Sequence, residues 1–296
     1  VGWDAGDIVA TMSVTSPDSL DAALAALADN PAAHVLAGGT DMMVELNFGR
    51  RSPAPVVSVG RIPELRGIDV DRSARFVRLG AAVTFSEFLA SEAASQAPAL
   101  AQAARTVGSL QIRNAGTFGG NLATCSPAGD TLPVLVALSA TVELASRDGR
   151  RRVPVEEFMV GPKRSALKPG EIVAGVTVPI IDGWQGFAKV GTRNAMVIAV
   201  CNAALVVDRH DRSVRLAMGS VGPTILRAPE AESVAARMLF GAEPTSARAD
   251  LLVEFERRAS AAVSPIDDQR STADYRRHAV GVIARRLLDR ASREMP

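Results

Sequence analysis

The sequence predicts an α+β protein, with mixed sheets and helices in its first two thirds and an antiparallel sheet with helices in the last. Three observations carry that prediction. Runs with apolar residues at helical spacing, such as Leu20, Ala23, Leu24 and Leu27, are interspersed with short strand-like runs such as Ile172 to Val178. Gly, Pro, Asn and Asp punctuate the chain between them. After Gly183 to Gly186, which marks a boundary, strand-like segments alternate with amphipathic helices.

The elements follow in order. Ser16-Pro17-Asp18-Ser19 reads as a helix start, with Ser16 as N-cap, Pro17 at the first helical position and acid in the first turn. Asn30-Pro31 stops that helix. His34 to Ala37 is a short strand ending at Gly38-Gly39, Asp41 to Leu46 a short helix, and Pro55 to Val59 a second strand. Leu65 to Val70 and Arg75 to Leu79 flank Asp71-Arg72-Ser73 as a hairpin. Thr84-Phe85-Ser86-Glu87 is a capping box for a helix running to about Ala94, and Pro98 to Val107 forms another. A glycine-rich segment runs from Gly108 to Gly129, and Leu132 to Leu138 reads as helix or strand. Strands are expected at Thr141 to Ala145, Arg152 to Val155, Ile172 to Val178, Phe187 to Val190, Ile198 to Val207 and Val214 to Gly219. Helices at Pro229 to Phe240, Ala247 to Ala262 and Tyr275 to about Ser292 complete the chain, which shows no repeat and no low-complexity linker.

Composition excludes several function classes. Lys plus Arg number 33 against 32 for Asp plus Glu, so no global field favours nucleic acid or anionic lipid. Two cysteines, Cys125 and Cys201, cannot build a four-cysteine iron–sulfur or zinc site, and they read as reduced thiols. Val1 to Thr11 carries Asp4 and Asp7 and lacks the basic start and apolar run of a secretory signal. Met196 to Val207, the most apolar stretch, is broken by Asn202 and falls well short of the roughly 20 residues of a membrane span. The expectation is a soluble, cytoplasmic protein with residues 1–11 as an unstructured extension.

Two segments carry chemistry. Ala37-Gly38-Gly39-Thr40-Asp41 follows a strand, and Thr117-Phe118-Gly119-Gly120-Asn121 lies later in the glycine-rich stretch. Paired glycines let main-chain N–H groups approach a diphosphate, with Thr and Asn side chains adding hydrogen bonds. One Gly-Gly pair alone is usually a structural turn, and it is two such pairs, each flanked by hydroxyl and amide residues, that make a diphosphate cradle more plausible. Neither segment is a Gly-x-Gly-x-x-Gly fingerprint or a Walker A loop, and His34, His210 and His278 form no metal motif. No Gly-x-Ser-x-Gly nucleophile elbow is present.

Val35 to Met42, Gln111 to Thr124, Ser126-Pro127-Ala128-Gly129-Asp130, Lys189 to Met196, and Ile266 to Arg270 with Tyr275-Arg276 make a longer pattern. Together they resemble the FAD-binding medium subunit of the xanthine dehydrogenase and carbon monoxide dehydrogenase family of molybdenum hydroxylases. The resemblance covers nearly the whole chain from Met12 onward, and leans toward bacterial xanthine or purine dehydrogenase subunits.

The resemblance implies an FAD-binding fold of the vanillyl-alcohol-oxidase type. Residues 12–60 and 61–182 would be its two α/β subdomains, and 183–296 a C-terminal domain of the CO dehydrogenase flavoprotein type. It implies that Val35, Leu36, Ala37, Gly38, Gly39, Thr40, Asp41 and Met42 embrace the FAD diphosphate from one side. Thr117, Phe118, Gly119, Gly120 and Asn121 would embrace it from the other. Val107, Asp130 and Val173 match further contact positions, and Lys189 matches a lysine whose fixed charge near the isoalloxazine favours the reduced, anionic flavin. Asp130 could instead cap the following helix, and Lys189 could be a solvated strand lysine. Arg113 and Asn114 either touch FAD or hold the loop. Met42 and Met43 read as packing residues, with Met42 also able to line the cleft. Cys125 is a structural thiol and Cys201 a core residue.

The family hydroxylates a carbon, often in a nitrogen heterocycle, on a molybdopterin subunit. The resemblance implies that electrons pass through two [2Fe–2S] clusters on a small subunit to FAD on this chain, then to NAD+ or another acceptor. No catalytic acid, base or nucleophile is expected here, and no metal site. Two rival readings are a self-contained FAD oxidoreductase of the same fold and a flavin-free scaffold subunit.

Overall fold

The computed structural model describes residues 13–295, so the expectation for residues 1–11 lies outside the described residues. The first sheet is small and wholly parallel, in the order Val14–Thr15, Val56–Ser58, His34–Leu36. Helix Leu20–Asp29 connects its first two strands in sequence and buries Leu20, Ala23, Leu24 and Leu27, one face at helical spacing. The cap is Ser19, not Ser16: the Ser19 hydroxyl accepts from Ala22 N at 3.2 Å. A tertiary partner fixes that start, because Leu20 N donates to the Glu64 carboxylate at 3.2 Å.

The second sheet is wholly antiparallel, in the order Ile68–Asp71, Phe76–Gly80, Ile172–Pro179, Thr141–Ser146, Gly149–Pro154. Parallel and antiparallel ladders are thus segregated in the first two thirds, which corrects the expectation of mixed sheets. The capping box at Thr84 and Glu87 forms as read, but its helix ends at Ala90 and a separate turn, Ala93–Gln96, follows. The glycine-rich segment is mostly helical, as Leu110–Ala115 and Phe118–Thr124. Thr131–Ala137 is a helix with all seven residues buried. One apolar core runs beneath the first two sheets, from Leu24 and Val57 to Val142 and Val176.

The third sheet is antiparallel: Gly183–Val190, Cys201–Asp208, Ser213–Gly219, Leu226–Arg227. Gly183 to Gly186, expected as a boundary, is the beginning of its first strand, and the strand expected from Ile198 begins at Cys201. All eight residues of Cys201–Asp208 are buried. Strand alternation explains this. Cys201, Ala203, Leu205 and Val207 join a second core with helices Pro229–Phe240, Arg248–Ala261 and Ala273–Glu294. Ala204 and Val206 face the first core.

Arg276 locks the second core. Only 2% exposed, it donates Nη1 to Val200 O at 2.8 Å and Ser220 O at 2.9 Å, and Nη2 to Asp268 at 2.5 Å. Burial works to raise the Asp268 carboxyl, but hydrogen bonds from Arg270 and Arg276 together hold it well below the usual range. Among the described residues no helix is long and apolar enough to cross a membrane.

Candidate functional site: a cleft between two glycine-bearing segments

Strand His34–Leu36 stops at Gly38-Gly39 before the chain enters helix Met42–Asn47. Gly39 has φ +72°, a conformation that suits a residue without Cβ. Gly38 lies against the end of helix Leu110–Ala115, where an added Cβ would stand 1.7 Å from Ala115 O. The two glycine-bearing segments therefore touch, although they are far apart in sequence. Among the described residues, no protein group accepts from the main-chain N–H of Gly38, Gly39, Thr40 or Asp41. Successive unpaired amides of this kind make a receptor for an anion.

The second pair is built differently. Gly119 and Gly120 fall in the first turn of helix Phe118–Thr124, capped by Thr117. Its amides are already engaged. Phe118 N donates to Val83 O at 3.1 Å, Gly119 N to Ala81 O at 2.9 Å and Asn121 N to Thr117 O at 2.9 Å. Gly120 N donates to Thr117 Oγ1 at 3.0 Å. Gly119 is glycine for packing, since a Cβ would stand 2.5 Å from the Ala81 Cβ. Phe118 sits in the core, edge-on to Phe85 and Phe88 at centroid distances of 5.0 and 5.2 Å.

Between the segments opens a cleft of about 650 Å³, within the ordinary range of small-molecule sites. Val35, Leu36, Ala37, Gly38, Gly39, Thr40, Asp41 and Met42 line one side. Val107, Thr117, Gly120, Asn121 and Asp130 also line it. Phe118, Gly119, Val173 and Lys189 do not. Val173 is 5% exposed and paired with Leu144 inside the second sheet. Met43, expected as packing, is half exposed at 49%. Asn121, which lines the cleft, accepts from Thr131 Oγ1 through its Oδ1 at 2.6 Å, which fixes the side chain. Arg113 and Asn114 hold the loop: Arg113 donates to Val107 O and Gly108 O, at 3.0 and 3.1 Å, and Asn114 accepts from Ser86 Oγ.

Several lining residues carried no sequence signal. Glu45, Arg51 and Lys163 form an ion cluster at the cleft: Lys163 Nζ lies 2.5 Å and Arg51 Nη2 2.8 Å from the Glu45 carboxylate. The Lys163 hydrogen bond, helped by Arg51 and opposed by burial, holds the Glu45 carboxyl below its usual 4.5. Met196, Val197 and Ile198 also reach the cleft. Lys163 comes from the turn between Met159–Gly161 and Arg164–Ser165, where Gly161-Pro162 is a turn signal but points to no cleft.

Asp130 does not cap the helix it precedes. Its carboxylate instead accepts from Lys189 Nζ at 2.6 Å and from Asn202 Nδ2 at 3.2 Å. Lys189 and Asn202 are cross-strand partners in the third sheet, so their side chains reach Asp130 together. Burial pushes the Asp130 carboxyl up against the pull of Lys189. Lys189 is neither solvated nor a lone charge: its side chain is 10% exposed, and its cleft-side neighbour is a counter-ion. Cys125 and Cys201 are fully buried, and burial pushes both thiols up to about 12, which leaves them inert near neutral pH.

Unpaired main-chain donors, Thr and Asn side chains and an apolar wall form the donor set of a diphosphate-bearing cofactor. The comparisons agree with that class. Residues 10–181 match the FAD binding domain in molybdopterin dehydrogenase, and residues 187–291 match the CO dehydrogenase flavoprotein C-terminal domain. The glyceraldehyde dehydrogenase medium chain of Sulfolobus acidocaldarius is 31% identical over 275 residues, 92% of this chain and 95% of that protein. The nicotine 6-hydroxylase medium subunit of Paenarthrobacter nicotinovorans is 31% identical over 277 residues, 92% and 94% of the two chains. A solved carbon monoxide dehydrogenase from Hydrogenophaga pseudoflava superposes with TM-score 0.86 at 28% identity, covering 96% of this chain and 98% of that one. This chain belongs to the FAD-binding medium subunits of the molybdenum hydroxylases, and is a subunit of an oxidoreductase.

Proposed function

We propose that the cleft holds FAD with its diphosphate on the amides of Gly38 to Asp41, and that the chain is the electron-transfer subunit of a molybdenum-containing hydroxylase. Its partners are a small subunit with [2Fe–2S] clusters and a large molybdopterin subunit, assembled as a heterotrimer in the cytoplasm. The complex oxidises a purine or another nitrogen heterocycle and passes electrons to NAD+ or another acceptor. FAD supplies a carrier that can exchange electrons singly or in pairs. Residues 12–60 and 61–182 act as the two cofactor-binding subdomains and 183–296 as the domain beside the flavin ring.

Each group of this chain has a part in that reading. The four free amides are neutral donors, so they receive the diphosphate without a competing counter-ion. Thr40 and Thr117 add hydroxyl donors, and Val107 and Met42 shield the cleft with apolar surface. Asp130, held by Lys189 and Asn202, presents an acceptor that cannot swing away. The observation that carries the reading is the set of unpaired amides at a cleft wall, with Gly38 packed too tightly for any side chain.

The test is purification with native partners, followed by flavin and metal analysis. About one FAD per chain, with molybdenum and iron in the complex, is the expected result. Failure to take up added FAD supports the flavin-free scaffold. Reduction of the isolated, flavin-loaded chain by a heterocycle supports the self-contained oxidoreductase.

A further inference from the structure

Strand Cys201–Asp208 is buried along its whole length, and from Cys201 to Val207 every residue but Asn202 is apolar. Asn202 is 0% exposed, and among the described residues no donor reaches its Oδ1. A buried carbonyl without a donor is destabilising, and alanine or leucine at this position would avoid it. The neighbouring strand makes room for it. Gly219 stands opposite in register, and a Cβ there would lie 2.3 Å from the Asn202 Oδ1.

The other end of the amide accounts for the orphan. Asn202 Nδ2 donates to Asp130 Oδ1 at 3.2 Å. An ionised carboxylate only accepts, so the nitrogen has to face it and the oxygen is left over. Lys189, opposite Asn202 on the strand to its other side, donates Nζ to Asp130 Oδ2 at 2.6 Å and to Thr106 O at 3.2 Å. Each carboxylate oxygen thus has its own donor, and two donors from adjacent strands fix the plane of the group. Lys189 alone would leave it free to turn.

Asp130 lines the cleft while only 7% exposed. Burial pushes its carboxyl up, and Lys189 first, then Asn202 and Thr106, pull it back. These three side chains come from Gly183–Val190, Cys201–Asp208 and helix Pro98–Thr106, and only Lys189 among them is charged.

We infer that Asn202 is a positioning residue for the cofactor: its amide nitrogen fixes the Asp130 carboxylate as the acceptor that the cleft offers to FAD. This rests on the proposed function. Without the Asn202 donor the carboxylate loses a hydrogen bond that favours its charged form, so it takes up a proton at higher pH. The protonated carboxyl offers the cofactor one acceptor fewer, and FAD binding weakens.

The test follows two signals in the full chain from mildly acidic to mildly alkaline pH: the Asp130 carboxyl by carbon NMR, and FAD affinity by fluorescence titration. Wild type is compared with Asn202→Leu, which keeps the volume, and with Asn202→Ala, which leaves no atom to clash with Gly219. In both variants the carboxyl is expected to titrate about one to two pH units higher, the worth of one hydrogen bond to a charged group. The pH at which FAD affinity falls should move with it. In Asp130→Asn that fall should vanish, and adding Asn202→Leu should move nothing further. An unmoved carboxyl titration in a folded variant overturns the inference, as does FAD affinity that ignores the shift or a shift that persists in the Asp130→Asn background. A role in folding alone would change the melting temperature and leave both titrations in place. If wild type takes up no FAD at any pH, the cofactor reading fails, while the carboxyl titration still decides whether Asn202 holds Asp130.

Discussion

Gly38-Gly39 and Gly119-Gly120 look alike in sequence but do different work. The first pair leaves successive amides without a protein partner, while the second has its amides tied to Ala81, Thr117 and the helix. Glycine serves a backbone contact in both: Gly38 against Ala115 O, and Gly119 against Ala81. Only the first contact leaves donors open. A turn with open amides and a packing joint can therefore share one dipeptide, and what separates them is where the N–H groups point their hydrogen bonds.

Substitutions can break that comparison, beginning with the largest effect. Gly38→Ala puts a Cβ into the Ala115 carbonyl and forces the open-amide loop away from its neighbour. The expected loss is about 3 kcal/mol, roughly a hundredfold in the Kd for FAD, read by fluorescence titration and by flavin retained after desalting. Gly119→Ala overpacks against Ala81 and is expected to lower stability by about 1–3 kcal/mol. Thermal melting should show that drop, while the folded fraction keeps its FAD affinity. Equal loss of FAD affinity in both variants would erase the distinction.

Thr117→Val keeps the shape and removes the cap on Gly120 N, at about 1 kcal/mol of stability. It also removes a hydroxyl from the cleft, so a few-fold weaker FAD binding should accompany the lower melting temperature. The smallest effect belongs to the ion cluster. Lys163→Met removes a partly exposed pair with Glu45, expected to contribute about 0.2–1 kcal/mol. Since the folded Glu45 carboxyl sits below its usual 4.5, its contribution is complete above that pH and disappears as the pH falls through the lower folded value. A pH series of melting curves should therefore show wild type and Lys163→Met converging in acid and separating above about pH 4.5.

Much of this was legible from residue order. The capping box at Thr84 and Glu87, the face of Leu20, Ala23, Leu24 and Leu27, and the buried run at Ile172 to Val178 are local patterns, and local physics made them. The cleft's first wall was legible because one contiguous segment supplies it. What could not be read depends on distant partners. Helix Phe118–Thr124 forms in a glycine-rich stretch because Val83 and Ala81 carbonyls take its first amides. The start of helix Leu20–Asp29 moves to Ser19, where Glu64 takes the Leu20 amide. Lys189 carries nothing in its own segment to announce Asp130, and Lys163 nothing to announce Glu45.

Amide hydrogen exchange resolved by residue, with and without FAD, measures most directly which main-chain donors receive the diphosphate. Strong new protection at Gly38, Gly39, Thr40 and Asp41, with Gly119 to Asn121 already protected in the free chain and little changed, is the predicted result. Exchange at residues 38–41 that ignores FAD, or protection that arises only at residues 119–121, would contradict it.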